Sequence, residues 1–444
     1  MVFHVKPLKA LLVNPYIYDF AAYSFWASPI GLLYVGSILR KNGMEIQLID
    51  CMRTVEKKRK EDGRAPFIKE KVQNPESLKG IKKQFKRYGT SKEALIKELS
   101  LMDAPDLILL TSIMTYWYLG TKEVLEILRE MFPSSKIVTG GIYPSLCYEH
   151  ATIQLDKADL IVRHNELEKF YAFIEENFST NLSFKPSVYD LENLPYPCFD
   201  LYNNIPFVPL LASYGCVYKC TYCATPYMHP NMVRRNTKSI LDEIIHWHDY
   251  GVERYVIYDD NLLFKKERYA KPLLRGIASL PFSIQIYNPN AINAAFVDEE
   301  LAHLFLDAGF KEVRIGLETI DPLIQQSTGG KVNIKSFEKA LSILSRAGLP
   351  MDIVHVYILA GLPFQKWESV KNTIDYLSPF GVQTHIAEYT PIPHTPIFEK
   401  YQSFARYPIA EDAIYQNNVL FPFAWKGFTE NDLAFLKQYV RNKL

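Results

Sequence analysis

The sequence has no long apolar run, almost no net charge and few cysteines. Its 444 residues hold 50 Lys and Arg against 49 Asp and Glu, a net charge of +1. No run reaches the ~18 apolar residues of a membrane span, and the start, MVFHVKPLKALLVNP, lacks the apolar stretch of a secretion signal. The neutral balance argues against nucleic acid as a partner of the whole chain. We therefore expect a cytoplasmic protein of two or three globular domains.

Six cysteines are too few for a disulfide scaffold in a chain of this length. Three of them are scattered: Cys51, Cys147 and Cys198. The other three fall within eight residues: Cys216, Cys220 and Cys223. Three thiolates on one loop indicate a metal centre. Zinc would need a fourth ligand, such as His229, whereas a 4Fe–4S cluster with three protein ligands leaves one iron open for an exogenous ligand.

The first half alternates short apolar runs with stretches of helical periodicity. The predicted strands are 9–15, 44–50, 106–112, 136–141 and 158–162, with a helix over 28–43. This alternation predicts an α/β fold over residues 1–183, a Rossmann-like doubly wound parallel sheet. Ligands bind such sheets at the carboxyl ends of the strands, where this sequence has Asn14, Pro15, Asp50, Ser112, Gly140 and Gly141.

A basic segment interrupts this pattern. Residues 53–87 hold 13 Lys or Arg and 5 Asp or Glu, a net +8, so the rest of the chain sums to −7. The segment is either a solvated, partly irregular insertion or a basic flap that meets an anionic ligand or partner. Residues 184–204 are rich in Pro, Asn and Tyr, a composition that predicts a linker.

The second half repeats strands and helices. The predicted strands begin at residues 208, 254, 283, 312, 352 and 383, and the helices between them end at glycine. This order predicts a partial (β/α)6 TIM-type barrel over residues 205–400, with chemistry at the carboxyl ends of its strands. The aromatic residues 401–444 are predicted to pack as a C-terminal cap.

The segment SYGCVYKCTYCATP resembles the signature loop of radical S-adenosylmethionine (radical SAM) enzymes. Their pattern, CxxxCxΦC, has an aromatic residue at Φ, here Tyr222. Other segments resemble the same enzymes in the same order: YDDN, NPN, RIGLET, TGGKV, AGLP and YTPIPHTP. In the first half, VNP, SPIGLLYVGSIL and VTGGIYPS resemble an N-terminal cobalamin-binding-type domain. The chain is thus identified as similar to radical SAM enzymes that carry such a domain.

The resemblance implies that the three clustered cysteines hold a 4Fe–4S cluster whose open iron binds S-adenosylmethionine (SAM). Reduction, by a flavodoxin or ferredoxin, then cleaves SAM to methionine and a 5′-deoxyadenosyl radical that abstracts hydrogen from the substrate. The residues implied in SAM binding are Tyr222, Asp259, Asp260, Asn288, Arg314 and Glu318. The sequence leaves open which of the two aspartates faces the lumen. It also leaves open whether Arg314 and Glu318 bind SAM or form an ion pair with each other or a neighbour.

The resemblance also implies cobalamin as methyl donor to an unactivated carbon or phosphorus centre. The residues implied in cobalamin binding are Asn14, Ser112, Thr115, Gly140 and Gly141. The DxHxxG motif is absent, because Asp50 is followed by CMRTV, and the run Tyr116–Tyr118 is expected at the crevice mouth, stacking on the corrin or filling its place. Three hypotheses stay open: methyl transfer, a cobalamin-independent rearrangement, cyclisation or oxidation, and a zinc-binding protein without turnover. The substrate, a small or lipid-like molecule, is not determined.

Overall fold

The computed structural model describes residues 7–443. The chain divides into two compact units, residues 1–205 with 411–414, and residues 206–410 with 415–444. The segment 184–204, predicted as a linker, therefore lies in the first unit. Within residues 7–443, no helix combines the length and the apolar character that a membrane crossing needs.

The first unit is built on a parallel sheet with helices between its strands. Its strands are β1 (Lys9–Asn14), β2 (Ile17–Asp19), β3 (Glu45–Asp50), β4 (Lys69–Lys71), β5 (Lys86–Tyr88), β6 (Leu107–Ser112), β7 (Lys136–Gly141) and β8 (Leu160–Ile161). Its helices are α1 (Ile30–Lys41), α2 (Lys92–Leu99), α3 (Tyr118–Met131), α4 (Ile142–Leu146), α5 (Tyr148–Gln154) and α6 (Leu167–Phe178). Five strands pair in the order β3-β1-β6-β7-β8, all parallel. The central strands β1 and β6 are almost wholly buried, as expected where helices cover both faces. The predicted Rossmann-like sheet is confirmed.

Part of the basic segment 53–87 folds as a second, small sheet. β5 pairs antiparallel with both β2 and β4, which gives the order β2-β5-β4. Phe67, Phe85 and Tyr88 are buried, whereas β4 is exposed along its length. The segment thus combines two short strands with turns and irregular backbone. Strands of three residues are too short to show an alternating pattern in the sequence.

The second unit carries two groups of three parallel strands. Its strands are β9 (Val208–Leu210), β10 (Ser213–Tyr214), β11 (Val233–Arg234), β12 (Arg254–Ile257), β13 (Gln285–Tyr287), β14 (Val313–Glu318), β15 (Val354–Ala360) and β16 (Gln383–Glu388). Its helices are α7 (Thr225–Met228), α8 (Thr237–Asp249), α9 (Ala270–Ala278), α10 (Glu299–Asp307), α11 (Pro322–Ser327), α12 (Ile334–Arg346), α13 (Trp367–Leu377), α14 (Pro396–Tyr401) and α15 (Glu430–Arg441). The strand orders are β9-β12-β13 and β14-β15-β16, and single bridges such as Ile292 to Ile315 join the groups. The predicted partial barrel is confirmed.

The first barrel strand is shorter than the apolar run suggests. β9 ends at Leu210, and β10 then pairs antiparallel with β11. The chain thus leaves the barrel as a hairpin whose loop, residues 215–232, carries the three clustered cysteines. Gly215 opens this loop with φ 87°, and a Cβ there would lie 2.5 Å from the Asn231 carbonyl oxygen. Only glycine fits such a position without strain.

Candidate functional site

The three clustered cysteines lie on the hairpin loop that follows the first barrel strand. All are free thiols, with Cys220 buried and Cys216 and Cys223 partly exposed. Two donors point at their sulfurs: Asn261 Nδ2 donates to Cys216 Sγ at 3.4 Å, and the Thr225 N–H donates to Cys223 Sγ at 3.4 Å. Within residues 7–443, no three His, Cys, Asp or Glu side chains are grouped to hold a single metal ion. Hydrogen bonds to sulfur are a feature of iron–sulfur sites, so this donor set suits such a cluster.

The cysteine loop rests on the turn formed by residues 327–331. The Thr221 N–H donates to the Thr328 carbonyl at 3.2 Å, and Thr221 Oγ1 donates to the Ser327 carbonyl at 3.1 Å. Gly329 has φ 112°, and a Cβ there would lie 3.2 Å from Cys220 Cα. The turn therefore supports the loop through a backbone approach that a side chain would disturb.

Two ionisable side chains adjoin Cys220. Glu318 and the Tyr222 hydroxyl form a hydrogen bond, and burial raises the pKa of both groups. Burial also raises the pKa of the Cys220 thiol, while the positive charge of Lys331 opposes this rise. Glu318 follows a register shift in β14 and has φ 66°. A left-handed backbone at a non-glycine residue is strained, and strain of this kind clusters at functional sites.

The adjacent aspartates after β12 point in different directions. Asp260 accepts the Gly215 N–H at 2.8 Å, so its carboxylate lies at the base of the cysteine loop. Asp259 accepts the Ser213 hydroxyl and lines a pocket with Arg234, outside that loop. Burial raises the pKa of Asp259 to about 6. Of the two candidates for the SAM ammonium group, the structure brings only Asp260 to the cysteines.

Asn288 and Arg314 are held by groups of the barrel itself. The Asn288 amide donates to the Arg314 carbonyl at 3.2 Å and accepts the Arg314 N–H at 3.2 Å. The Arg314 guanidinium donates to Glu312 Oε2 at 2.6 and 2.9 Å and to the Tyr357 hydroxyl. Arg314 therefore pairs with its neighbour Glu312, and Glu318 is left directed at the cysteine loop.

Four residues that sequence analysis did not select also contribute to this site: Thr225, Asn261, Gly329 and Lys331. Asn261 follows the aspartates in YDDN, and the last two lie in TGGK. Both segments are among those whose order along the chain resembles that of radical SAM enzymes. Their contacts with the cysteines depend on loops that only the fold brings together.

The first unit has an open pocket at the carboxyl ends of β1 and β6. Asn14 and Ser112, two of the predicted cobalamin residues, line it with Met52, Phe67 and Trp117. The pocket lies where a doubly wound sheet binds its ligand. Its polar groups include the Asn14 amide, which donates to Asp50 Oδ1 at 2.8 Å, and the Ser112 hydroxyl.

The other predicted cobalamin residues lie beside this pocket. Thr115 is buried in a 3-10 turn after β6, and Gly140 and Gly141 end β7, where Gly141 pairs with Ser112. Of the run 116–118, only Trp117 lines the pocket, and its Nε1 donates to Asp19 at 2.7 Å. Tyr116 and Tyr118 are buried. Met52, two residues after Asp50, stands where DxHxxG has histidine.

The radical SAM superfamily model matches residues 210–377, the segment that carries the cysteine loop and β9–β15. The chain therefore carries a radical SAM domain over these residues. Radical SAM domains use a 4Fe–4S cluster and SAM, and these are the cofactors of this domain.

Two curated relatives resemble this chain over much of its length. It is 25% identical over 291 residues to bacteriochlorophyllide d C-12(1)-methyltransferase of Chlorobaculum tepidum, covering 61% of each chain. It is 21% identical over 419 residues to cytidylyl-2-hydroxyethylphosphonate methyltransferase of Streptomyces wedmorensis, covering 80% of this chain and 73% of the relative. The chain thus spans less than two thirds of the length of the first relative.

Two solved radical SAM enzymes share the fold. TsrM from Kitasatospora setae, with cobalamin and a [4Fe–4S] cluster bound, superposes with a TM-score of 0.65 at 16% identity, over 90% of this chain and 78% of that one. The cobalamin-dependent enzyme OxsB, with aqua-cobalamin and SAM bound, gives 0.58 at 15% identity, over 98% and 56%. At these identities the likeness shows a common fold, a Rossmann-like domain followed by a radical SAM barrel.

Proposed function

We propose that this enzyme cleaves SAM reductively at a 4Fe–4S cluster held by Cys216, Cys220 and Cys223, and uses cobalamin to methylate an unactivated centre. The observation that carries the proposal is the loop of three free thiols with donors aimed at its sulfurs and Asp260 at its base. The methyltransferase relatives and the cobalamin-binding neighbours support methyl transfer.

The residues of the site have distinct tasks in this proposal. The thiolates would hold three irons, and the Asp260 carboxylate, anchored by the Gly215 N–H, would provide charge for the SAM ammonium group. Glu318 and Tyr222, hydrogen-bonded to each other, would line the place of the adenosyl part of SAM. When bound, the cluster supplies the electron that converts SAM to the radical source. In the first unit, Asn14 and Ser112 would hold cobalamin, which supplies the methyl group.

A second function is favoured by the crevice of the first unit. Met52, Phe67 and Trp117 make an apolar wall there, and the histidine position of DxHxxG is occupied by Met52. A crevice that takes no cobalamin would leave a radical SAM enzyme for rearrangement, cyclisation or oxidation. We also propose a flavodoxin or ferredoxin as reductant and the cytoplasm as location, because the thiols must stay reduced.

Anaerobic reconstitution with iron and sulfide tests the proposal. We expect iron and sulfide in the ratio of a 4Fe–4S cluster, 5′-deoxyadenosine from SAM under reduction, and stoichiometric cobalt after incubation with hydroxocobalamin. Zinc without sulfide would contradict the enzymatic reading. An intact cluster that cleaves SAM in a protein that takes up no cobalt would replace methyl transfer by the second function.

A further inference from the structure

Four aromatic side chains form an exposed patch on the second unit, which we call the aromatic rim: Phe364, Tyr401, Phe404 and Trp425. Phe364 is 51% exposed and Phe404 is 62% exposed. The Phe364 ring contacts the other three rings edge to face, at centroid distances of 5.9, 5.4 and 6.1 Å. The rings are therefore held in a fixed arrangement while two of them face solvent.

The aromatic rim lies at the carboxyl end of the barrel, close to the cysteine loop. Phe364 follows β15, which ends at Ala360. Helix α14 begins on the cysteine loop, where the Ile397 N–H donates to the Thr221 carbonyl at 3.1 Å, and it ends at Tyr401. A helix of 6 residues is ~9 Å long. The aromatic rim is thus about one short helix away from the cysteines.

The loop that carries Phe364 is fixed in a strained conformation. Phe364 has φ 59°, a value that bulky residues rarely adopt. The buried Gln365 side chain accepts the Gly361 N–H at 2.8 Å and donates to the Leu359 carbonyl at 3.0 Å. These hydrogen bonds fix the loop so that the Phe364 ring points outward. A strained residue that exposes an apolar ring beside a reaction site indicates a contact with a ligand.

We propose that the aromatic rim binds a planar ring system, aromatic or macrocyclic, of the substrate. This inference rests on the proposed function, because the position is meaningful only if the cysteine loop is the reaction site. The exposed area of the four side chains is roughly 300 Å², whereas each partner of a stable protein interface buries about 800 Å². The area suits a small molecule, and flat rings gain most from aromatic partners because they stack on them.

Binding of coproporphyrin to the reconstituted enzyme tests the inference. We expect saturable binding, which the shift of the porphyrin absorption band measures. Phe404→Ala should weaken this binding about tenfold. Phe404 is the first choice because its ring is exposed and its removal leaves the core intact; Phe364→Ala is the second variant. Tyr250→Ala is the matched control, since Tyr250 is 57% exposed just before β12, at the other end of the strands, and should not alter binding. Deoxycholate, apolar and acidic but not planar, should compete poorly.

Three results would overturn the inference: equal binding by the wild-type enzyme and Phe404→Ala, equal competition by deoxycholate, or a wild-type dimer that Phe404→Ala converts to monomers. The last would make the aromatic rim a contact between copies. The proposed function is measured separately, by 5′-deoxyadenosine. An enzyme that binds the porphyrin through the aromatic rim but never cleaves SAM would contradict the proposed function, and one that cleaves SAM without such binding would contradict the inference alone.

Discussion

The crevice of the first unit and the cysteine loop of the second differ in how they are built. The crevice is a pocket whose wall comes from segments far apart in sequence, among them Met52, Phe67 and Trp117. The cysteine loop carries its reactive groups within eight residues and is held by a few hydrogen bonds, to Asp260 and to residues 327–328. A reactive motif can thus be local, whereas a pocket depends on the whole fold.

Replacing Cys220 with alanine tests the local site most severely. We expect 5′-deoxyadenosine formation to fall at least about hundredfold, because a lost metal ligand costs more than a lost neighbour of a ligand. The rate from SAM under reduction measures this. Cys147→Ala is the matched control, because Cys147 is a partly buried cysteine of the first unit and its loss should leave the cluster and the activity unchanged. Unchanged product in Cys220→Ala would remove that cysteine from the site.

Asp259→Asn tests whether Asp259 acts as a buried structural carboxyl group, in contrast to Asp260. The pKa of Asp259 is raised from 3.8 to about 6 by burial. An acid whose pKa is raised in the folded state contributes stability below its unfolded pKa. This stability is lost as the pH rises through the folded pKa. Relative to the variant, the wild type should therefore lose about 3 kcal/mol of unfolding free energy between pH 3.8 and 6. Urea unfolding at pH 4 and 7 measures the difference, and no pH dependence in it would contradict the burial of this carboxyl group.

Ala27→Trp tests the crevice by filling it from its open side. Ala27 is exposed and lines the pocket, so the indole should block the cavity at little cost in stability. We expect hydroxocobalamin affinity to fall about thirtyfold, measured by equilibrium dialysis, with iron content unchanged. The control is Ala104→Trp, because Ala104 is exposed just before β6, near the amino ends of the strands. Loss of the cluster in Ala27→Trp would show that the two regions do not fold independently.

Asp260→Asn tests the assignment of the SAM ammonium partner. Removing one charge from a charge-assisted hydrogen bond should weaken SAM binding about tenfold. Anaerobic titration of the reconstituted enzyme with SAM measures it, beside Asp259→Asn, whose affinity for SAM should stay near the wild-type value. If Asp259→Asn weakened SAM binding more than Asp260→Asn, Asp259 would be the partner of the SAM ammonium group.

The smallest effect is expected from the basic segment. Lys69→Ala with Lys71→Ala removes two exposed charges from β4, and we expect less than about twofold change in SAM or cobalamin affinity because exposed charges interact weakly. A larger loss at low ionic strength would favour the basic flap that meets an anionic ligand.

The strand and helix order, the cysteine spacing and the radical SAM resemblance were all legible in the sequence. Apolar runs such as LILLTS and KIVTGG form β6 and β7 where they were predicted, because strands buried on both faces need continuous apolar residues. The three cysteines were found because a metal-binding loop carries its ligands at short spacing. These features depend on residues close together in the sequence, so sequence patterns predict them.

Other features were decided only by the tertiary structure. The directions of Asp259 and Asp260, the pairing of Arg314 with Glu312 and the support of Cys220 by Gly329 depend on which loops meet at the strand ends. The small sheet of the basic segment and the apolar wall of the crevice likewise form from residues that are far apart in the sequence. Sequence alone determines local periodicity and ligand spacing, whereas side-chain partners are set by packing between distant segments, which no local pattern records.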